Sequence, residues 1–316
     1  MNEMIATLQS LRFVFVMLIF LSHFDYKDIH ALDAGGDCGV AFFFLLSGFV
    51  LSLGYGPQIS EGSFSFGRFL KRRLLKCYPL HILCLLLFLI VSRSAIDGRV
   101  ILNALLLQSW VPDADYYFSC NSVSWFLSSL MFCYLVFPSV YRRISPALTL
   151  TVLAAGIAIY LLVPYSRVNA ILYVHPLVRF IDFYLGMLLA RYYGRWTSPR
   201  GMEPLLLVGL LFALAVYPMS DEKFRNAPLF WLVLIPMIGV FAQQRGWLSN
   251  LLKSRPMIFL GSLSMPLYLT HQMLIAIVRH HLPDMPAMWM LTMCVLISLV
   301  VSWGAQIIFS RLFRLL

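Results

Sequence analysis

Residues 10–24, SLRFVFVMLIFLSHF, form an apolar run with a cation near one end and an imidazole near the other. Of the ten residues between Arg12 and His23, nine are apolar and the tenth is serine. A helix that crosses a bilayer needs about 20 predominantly apolar residues, so this run predicts a transmembrane helix over residues 7–25. We expect the helix to be retained, because its leader lacks a basic cluster and no small-x-small cleavage site follows it.

The two ionisable residues are predicted to share one face of this helix. The eleven steps from Arg12 to His23 amount to about 1,100°, which is within about 20° of three full turns, and they rise roughly 16 Å. Ionisable groups in a span usually face the bundle interior or a wet cavity, so this face is the expected wall of a pathway. Two alternatives stay open: Arg12 can snorkel to the interface and set the topology, and His23 can be a hydrogen-bonded interfacial residue.

The composition of the whole chain is that of a polytopic membrane protein. Of its 316 residues, 60% are hydrophobic and 12% are charged, about half the charged fraction of a typical soluble domain. Apolar runs leave no room for a separate soluble domain, so residues 1–316 are predicted to form one all-α transmembrane bundle of about ten crossings. The predicted spans are residues 7–25, 38–55, 77–92, 121–140, 147–164, 175–190, 203–219, 227–243, 257–279 and 287–309.

A short segment and the distribution of charge complete the predicted topology. Residues 100–110, VILNALLLQSW, reach roughly 17 Å as a helix, too short for a hydrocarbon core of about 30 Å, so a re-entrant helix is predicted there. With the N-terminus inside, 16 basic residues fall in inside segments and seven in outside segments. This bias predicts cytoplasmic termini in a multi-pass protein of the cell (inner) membrane, and it explains the basic balance without nucleic acid.

Five basic residues lie within nine positions of FGRFLKRRLLKCYPLHI, residues 66–82. A positive-inside anchor needs only about two or three charges, and spacings of three and four line several of these residues along one helical face. Such a face suits phosphate groups, with Arg as a bidentate fork and Lys as a point charge. Anionic lipid head groups and topology alone are equally compatible with the pattern. The five residues are Arg68, Lys71, Arg72, Arg73 and Lys76.

Three polar or aromatic residues in other spans are candidate substrate-binding residues. Ser47 interrupts the apolar run GVAFFFLLSGFVL, although small residues such as Ser47 and Gly48 also serve helix packing. Asn121 and Trp125 lie at the start of a span, where Asn121 can instead cap the helix.

Other buried polar residues are expected to be structural. Arg179 and Asp182 are three residues apart and can pair within one helix, which lowers the cost of burying each charge. His271, in YLTHQ, is expected to be a packed, hydrogen-bonded core histidine. The six cysteines show no C-x-x-C pair and no Cys/His metal spacing, so no metal is predicted. Cys38 and Cys120 are both expected outside, where a disulfide is permitted, and the sequence leaves their pairing open.

Seven segments, taken together and in order, resemble the acyltransferase-3 family of integral membrane acyltransferases over most of the chain. The first carries Arg and His at the same eleven-residue spacing, and the third resembles the family's basic motif. The chain departs from the family at Lys76, which replaces the second arginine of Arg-x-x-Arg, and at Ala41 and Leu130, where many members have an acidic residue. The segments are LQSLRFVFVMLIFLSHF, GVAFFFLLSGFVL, FLKRRLLKCYP, LLLQSW, WFLSSLMFCYLVFP, FYLGMLLA and LGSLSMPLYLTHQ.

The resemblance implies transfer of an acyl group, commonly acetyl, from acyl-coenzyme A. The implied acceptor is a hydroxyl of a carbohydrate or glycoconjugate, often at the outer side of the membrane. By the same resemblance His23 is the catalytic histidine, and Arg12, Arg73 and Lys76 serve the donor. The imidazole can act as general base on the hydroxyl or accept the acyl group itself.

Two expectations combine this resemblance with the residues. Arg68 and Arg72 are expected to assist in holding the phosphates of coenzyme A, and a single passage is expected to join the basic cluster to His23. The alternative function is a transporter or flippase for a glycan or lipid-linked intermediate. Transporters often contain two similar halves or paired broken helices, and neither is visible in this sequence.

Overall fold

The structure, a computed structural model, describes residues 5–30, 32–93, 95–199 and 201–315, with side chains as far as residue 309. These residues form α-helices joined by short turns, 3₁₀ segments and one π-helix, Val168–Tyr173. The α-helices are α1 Ala6–Ser22, α2 Asp33–Ser60, α3 Phe66–Ser92, α4 Gly98–Ala104, α5 Ala114–Tyr117, α6 Trp125–Arg143, α7 Pro146–Leu162, α8 Pro176–Tyr192, α9 Met202–Val216, α10 Glu222–Arg225, α11 Pro228–Ala242, α12 Trp247–Leu252, α13 Arg255–Ser262, α14 Ser264–His281 and α15 Ala287–Leu315.

An apolar helix lies at each of the ten predicted spans. By length and composition, six helices can cross a membrane, or up to eight if each of two bent pairs counts as one span. The bend is 116° between α7 and the segment Tyr165–Tyr173, and 59° between α13 and α14. The remaining two predicted spans correspond to α1 and α8, with 17 residues each. The all-α, multi-pass architecture is therefore confirmed, whereas ten crossings and cytoplasmic termini stay predictions.

Two helices extend well beyond their predicted spans. α2 begins at Asp33 rather than residue 38, and α3 begins at Phe66 rather than residue 77. The predicted span excluded the basic cluster, although its spacing already indicated a helical face, and apolar residues such as Phe69 recur between its cations. An amphipathic pattern of this kind forms a helix with one buried side, so the cluster forms the first turns of α3.

The short apolar segment forms helical pieces without the length of a span, whereas its re-entrant placement stays a prediction. Its first part is α4, which Asp97 caps by accepting hydrogen bonds from the backbone of Arg99 and Val100. A hydrogen bond from the Arg99 side chain lowers the pKa of Asp97. Within the segment, Asn103 donates to the Ser119 carbonyl over 2.9 Å. Polar groups buried in this way are hydrogen-bonded inside the protein, as non-spanning backbone at membrane depth requires.

α1 lies at the centre of the bundle, where it contacts α2, α11, α12, α13 and α14. Its first half is held by side-chain bonds to carbonyls of α11 and α12, including Ser10 to Leu252 over 2.6 Å. Phe15 stacks on Phe42 of α2 with 3.7 Å between ring centroids. Gly261 of α13 lies against the Gln9 carbonyl, where a Cβ would collide. An apolar helix that is surrounded in this way is a core helix of the bundle.

A close backbone approach, through a glycine of each helix, joins α2 to α8. A Cβ on Gly48 would collide with the Phe183 carbonyl oxygen, and a Cβ on Gly186 would collide with the Leu45 carbonyl oxygen. Small residues permit this approach between membrane helices. The helix-packing interpretation of Gly48 is therefore confirmed. All six cysteines are free thiols, so Cys38 and Cys120 do not pair in this structure.

Replacing Gly48 with alanine is predicted to destabilise the protein, because one methyl group would push α2 away from α8. We expect a loss of roughly 1–3 kcal/mol, the usual cost of overpacking a core. Gly304→Ala is the matched control, since a Cβ there meets nothing within 4 Å. The measurement is the midpoint of thermal unfolding in one detergent. Equal midpoints for the two variants would contradict the assigned α2–α8 contact.

Candidate functional site

A cavity of about 680 Å³ opens beside the first half of α1. We call it the Arg12 cavity. Its walls come from α1, α2, α3 and Tyr193, and they are apolar apart from a few polar groups that include two cations. Its volume falls within the roughly 300–1,000 Å³ that is usual for small-molecule and cofactor sites. The lining residues are Ile5, Leu8, Gln9, Arg12, Leu46, Val50, Leu53, Gly54, Lys76 and Tyr193.

The positive charge of the Arg12 cavity is not neutralised by the protein. Nε of Arg12 donates to Oγ of Ser264 over 3.0 Å, and Lys76 is exposed to the cavity. Arg73 lies close enough for its charge to act on both, and it donates to the Tyr55 hydroxyl over 3.1 Å. None of the three cations has a carboxylate partner in the described ranges. Uncompensated cations at an apolar cavity favour a polyanion with an apolar portion.

The other two predicted donor-binding residues point elsewhere. Arg68 and Arg72 are exposed, and neither lines the Arg12 cavity. They are four residues apart and share one helical face, which is rotated by about 100–140° from Arg73. Only the Arg73–Lys76 side of the cluster therefore faces the interior, and a role of Arg68 and Arg72 in donor binding stays a prediction.

A second cavity, of about 330 Å³, lies at the other end of α1. We call it the His23 cavity. Its lining is mostly polar and combines one imidazole, two phenols, two amides, three carboxylates and one guanidinium. The residues are Ser22, His23, Asp33, Gly36, Asp37, Asn169, Tyr173, Tyr217, Glu222, Arg225 and Asn226.

Acidic groups outnumber basic ones in the His23 cavity, because three carboxylates line it with one guanidinium. Arg225 donates from Nε to the Ser220 carbonyl over 2.8 Å and from Nη2 to the Pro218 carbonyl over 2.6 Å. The Tyr217 hydroxyl donates to Oδ2 of Asp37 over 2.8 Å. The three carboxylates of the cavity have no salt-bridge partner among the residues with described side chains. Such a cavity favours neutral or cationic ligands over anions.

His23 occupies the inner wall of this cavity and contacts a second histidine. Its Nδ1 lies 2.9 Å from the Ile19 carbonyl oxygen and 3.1 Å from Nε2 of His271. His271 is fully buried, and its Nδ1 lies 2.7 Å from the Tyr268 carbonyl oxygen. The expectation that His271 is a packed, hydrogen-bonded residue is confirmed, but its contact with His23 was not anticipated.

The two cavities are separate, which corrects the expected single passage. They share no lining residue within the described structure. Val16 and Ile19 lie on the Arg12–His23 face of α1, four and seven residues after Arg12, and both are buried. They belong to one packed apolar cluster with Phe44, Phe126 and Tyr268. Apolar side chains on the shared face therefore close the space that a continuous passage would need. We call these five residues the plug.

The three predicted substrate-binding residues lie away from both cavity walls. Ser47 is half-buried on α2. Asn121 donates to the Leu269 carbonyl over 2.9 Å and so ties its segment to α14. Trp125 is buried, with its ring 4.8 Å from the ring of Tyr173, which does line the His23 cavity. Asn121 and Trp125 thus have packing contacts within the bundle, and a role of the three residues in substrate binding stays a prediction.

A buried ion pair holds the wall of the His23 cavity. Nη1 of Arg179 lies 3.2 Å from Oδ2 of Asp182, as the three-residue spacing predicted. Arg179 also donates to the carbonyls of Leu172 and Asn226. Leu172 belongs to the π-helix that carries two cavity residues, and Asn226 is itself a cavity residue. Arg179 therefore fixes two chain segments at the cavity.

Sequence reasoning did not find several residues of the His23 cavity. Asp37 is predicted near the outer end of a span, but Tyr217 and Arg225 come from segments about 180 residues later in the chain. The feature of the sequence that could have indicated these residues is the concentration of polar, ionisable and aromatic groups in the two connections before α8 and α11. Without a known pairing of helices, that feature does not indicate which end of α1 they meet.

Comparison with known proteins gives a family match over nearly the whole chain. A family profile described as "Acyltransferase domain" matches residues 5–307. The chain is 27% identical over 314 aligned positions to "Acyltransferase MdmB" of Streptomyces mycarofaciens, which covers 86% of this chain and 79% of that protein. It is 40% identical over 73 positions to "Protein 2 in picA locus" of Rhizobium radiobacter, covering 23% of this chain and 38% of that protein. No solved structure gives a significant match.

Removing Arg179 is predicted to loosen the His23 cavity. Arg179→Met would leave the Asp182 charge unpaired, and losing one partner of a buried pair costs roughly 3–5 kcal/mol. The double variant Arg179→Met/Asp182→Leu is the control and should recover part of this loss. Thermal unfolding and hydrogen exchange of residues 168–173 and 222–226 provide the measurement. Unchanged hydrogen exchange and unchanged stability in Arg179→Met would show that Arg179 does not hold the two segments at the cavity.

Proposed function

Since the chain belongs to the acyltransferase-3 family of integral membrane acyltransferases, we propose that it moves an acyl group from acyl-coenzyme A to a hydroxyl of a carbohydrate or glycoconjugate. Acetyl is the proposed acyl group. The observation that carries the proposal is the presence of a cationic cavity and a histidine-bearing polar cavity at opposite ends of one buried helix.

The Arg12 cavity is the proposed donor site. Coenzyme A carries phosphates on a long, mostly uncharged arm that ends in the thioester. Arg12, Arg73 and Lys76 supply positive charge for the phosphates, while the apolar walls suit the arm. Arg68 and Arg72 are exposed on the same helix and would attract the phosphates from solution, an effect that salt screens within about 10 Å. With the predicted topology, this cavity faces the cytosol.

The His23 cavity is the proposed acceptor site. Its tyrosine, asparagine and carboxylate groups can hydrogen-bond sugar hydroxyls, and His23 is the base within reach of a hydroxyl that enters. The three carboxylates favour a neutral sugar or one that bears an amine. With the predicted topology, this cavity faces the extracytoplasmic side.

In the proposed reaction, the donor thioester and the acceptor hydroxyl meet at the imidazole of His23. Nε2 of His23 takes the proton of the acceptor hydroxyl, and the oxygen attacks the carbonyl carbon of the thioester. The carbon–sulfur bond breaks, and the coenzyme A thiolate leaves with the proton returned by the imidazolium. In the covalent alternative, Nε2 attacks the thioester carbon, the carbon–sulfur bond breaks and the coenzyme A thiolate leaves. The hydroxyl then attacks the acyl-imidazole, the carbon–nitrogen bond breaks, and the hydroxyl proton passes to the thiolate.

The plug must move for either route. Arg12 and His23 are roughly 16 Å apart along α1, so the thioester has to pass Val16 and Ile19 to reach the imidazole. Phe126 and Tyr268, with ring centroids 5.2 Å apart, lie in the same cluster. We propose that donor binding separates these side chains, so that the interior is closed to water when no donor is bound. Closure of this kind protects a reactive thioester from hydrolysis.

His23→Gln is predicted to abolish acyl transfer while leaving the fold intact. General acid–base catalysis contributes about 10²–10⁴-fold, so coenzyme A release from acetyl-coenzyme A should fall by at least about 100-fold. His280→Gln, at an exposed position outside both cavities, is the matched control. Mass spectrometry of glycans from cells with and without the protein identifies the acylated product. Wild-type release by the His23 variant, or substrate movement without any acylated product, would favour the transporter.

Lys76→Ala is predicted to weaken donor binding more than chemistry. Loss of one cation from the cavity should raise the KM for acetyl-coenzyme A by about 5- to 10-fold, the effect of roughly 1 kcal/mol or slightly more, with a small change in kcat. Arg142→Ala, at the exposed end of α6, is the control. A lower kcat with an unchanged KM for acetyl-coenzyme A would indicate that the donor phosphates do not bind at Lys76.

The charge of the His23 cavity predicts an order of acceptors. Soluble oligosaccharides that carry an amino sugar should be acylated at least as well as neutral ones, and those with uronic acids should be poor acceptors. Asp37→Asn should bring the rates for amino and acidic acceptors closer together, because it removes one carboxylate from the cavity. Equal rates for amino, neutral and acidic acceptors would contradict the charge-based assignment.

A further inference from the structure

Two histidines from distant parts of the chain meet beside the His23 cavity. His23 ends α1 and His271 lies within α14, and their ring centroids are 5.0 Å apart. Nδ1 of His23 and Nε2 of His271 are separated by 3.1 Å, a hydrogen-bond distance. His23 lines the cavity, whereas His271 is fully buried behind it. The two rings therefore hold unequal positions, one facing the acceptor site and one supporting it.

Backbone carbonyls determine which ring nitrogens carry protons. Carbonyl oxygens only accept hydrogen bonds, so Nδ1 of His271, 2.7 Å from the Tyr268 oxygen, must carry a proton. Nε2 of a neutral His271 then has a free lone pair. Nδ1 of His23, 2.9 Å from the Ile19 oxygen, must likewise be protonated, and it can share this proton with Nε2 of His271. The lone pair of His23 is consequently at Nε2.

We propose that His271 is a positioning residue, which adds a second acceptor to the Ile19 carbonyl and so strengthens the tautomer of His23 whose Nε2 is a base at the acceptor cavity. The inference rests on the proposed acyltransferase function for its kinetic consequence, but the tautomer itself is a property of the resting protein. The partner of one imidazole nitrogen sets which nitrogen is protonated. His271 touches neither cavity, so it acts only through His23.

A buried histidine could instead serve packing alone. Two substitutions of His271 separate packing from positioning. In His271→Asn, the side-chain amide can still donate to the Tyr268 carbonyl but is too short to reach His23. In His271→Gln, the amide oxygen can occupy the position of Nε2 and accept from Nδ1 of His23. Both substitutions are polar, but Asn is one methylene shorter, so a purely packing role should lower the unfolding midpoint of His271→Asn without changing the His23 tautomer.

The test compares these two variants with the wild type and His23→Gln in lipid bilayers. Steady-state kinetics with acetyl-coenzyme A should show a loss in kcat of about 10- to 100-fold for His271→Asn, with KM for donor and acceptor within about two-fold. His271→Gln should recover kcat to within about five-fold of the wild type. Thermal unfolding midpoints confirm that both variants fold.

Solid-state NMR of ¹⁵N-labelled histidine gives a readout that does not need turnover. The His23 signals, assigned by their loss in His23→Gln, should show a single tautomer protonated at Nδ1 in the wild type and in His271→Gln. His271→Asn removes one of the two acceptors of Nδ1 and leaves the Ile19 carbonyl, so it should show a larger share of the tautomer protonated at Nε2 than the wild type. The same tautomer population in all three proteins would overturn the proposal, as would equal kcat losses in the two His271 variants. If the tautomer shifts but no acyl transfer is found in any protein, the positioning role stands and the proposed function fails.

Discussion

The fold depends on how the protein hydrogen-bonds two half-buried ionisable groups of α1, Arg12 and His23. Arg12 lies in the first half of α1 and His23 follows its last residue. α14 supplies a partner for each: Ser264 for the guanidinium and His271 for the imidazole. The order of the contacts makes α1 and α14 run parallel. Polar groups in a membrane interior must be satisfied by protein, so these two hydrogen bonds fix both the register of the helices and the direction of the site residues.

The same constraint separates the site into two chemically different halves. Near Arg12, cations meet an apolar cavity, and near His23, carboxylates and phenols surround a smaller polar one. The five-residue plug stands between them, and its burial excludes water from the middle of the bundle. A phosphorylated donor and a hydroxylic acceptor can therefore approach from opposite ends, and in the proposed reaction only the acyl group needs to pass.

Local features of the site followed from the sequence, whereas tertiary ones did not. Helical periodicity predicted that Arg12 and His23 share a face, and the three-residue spacing predicted the Arg179–Asp182 pair. The plug was missed, because Val16 and Ile19 on that shared face could equally have lined a passage. The contacts of Asn121 and Trp125 and the bond from Tyr217 to Asp37 were not predicted, because the partners come from helices whose neighbours no single sequence specifies.

The central claim is that a donor held at Arg12 delivers its acyl group past the plug to His23. A structure of the protein in lipid with a non-reactive thioether analogue of acetyl-coenzyme A tests it most directly. The account predicts phosphates next to Arg12 and Lys76, displaced Phe126 and Tyr268 rings, and the acyl carbon about 3–3.5 Å from Nε2 of His23, the separation of a reactive pair. An analogue bound elsewhere, or one whose acyl end stays in the Arg12 cavity below an unmoved plug, would contradict it.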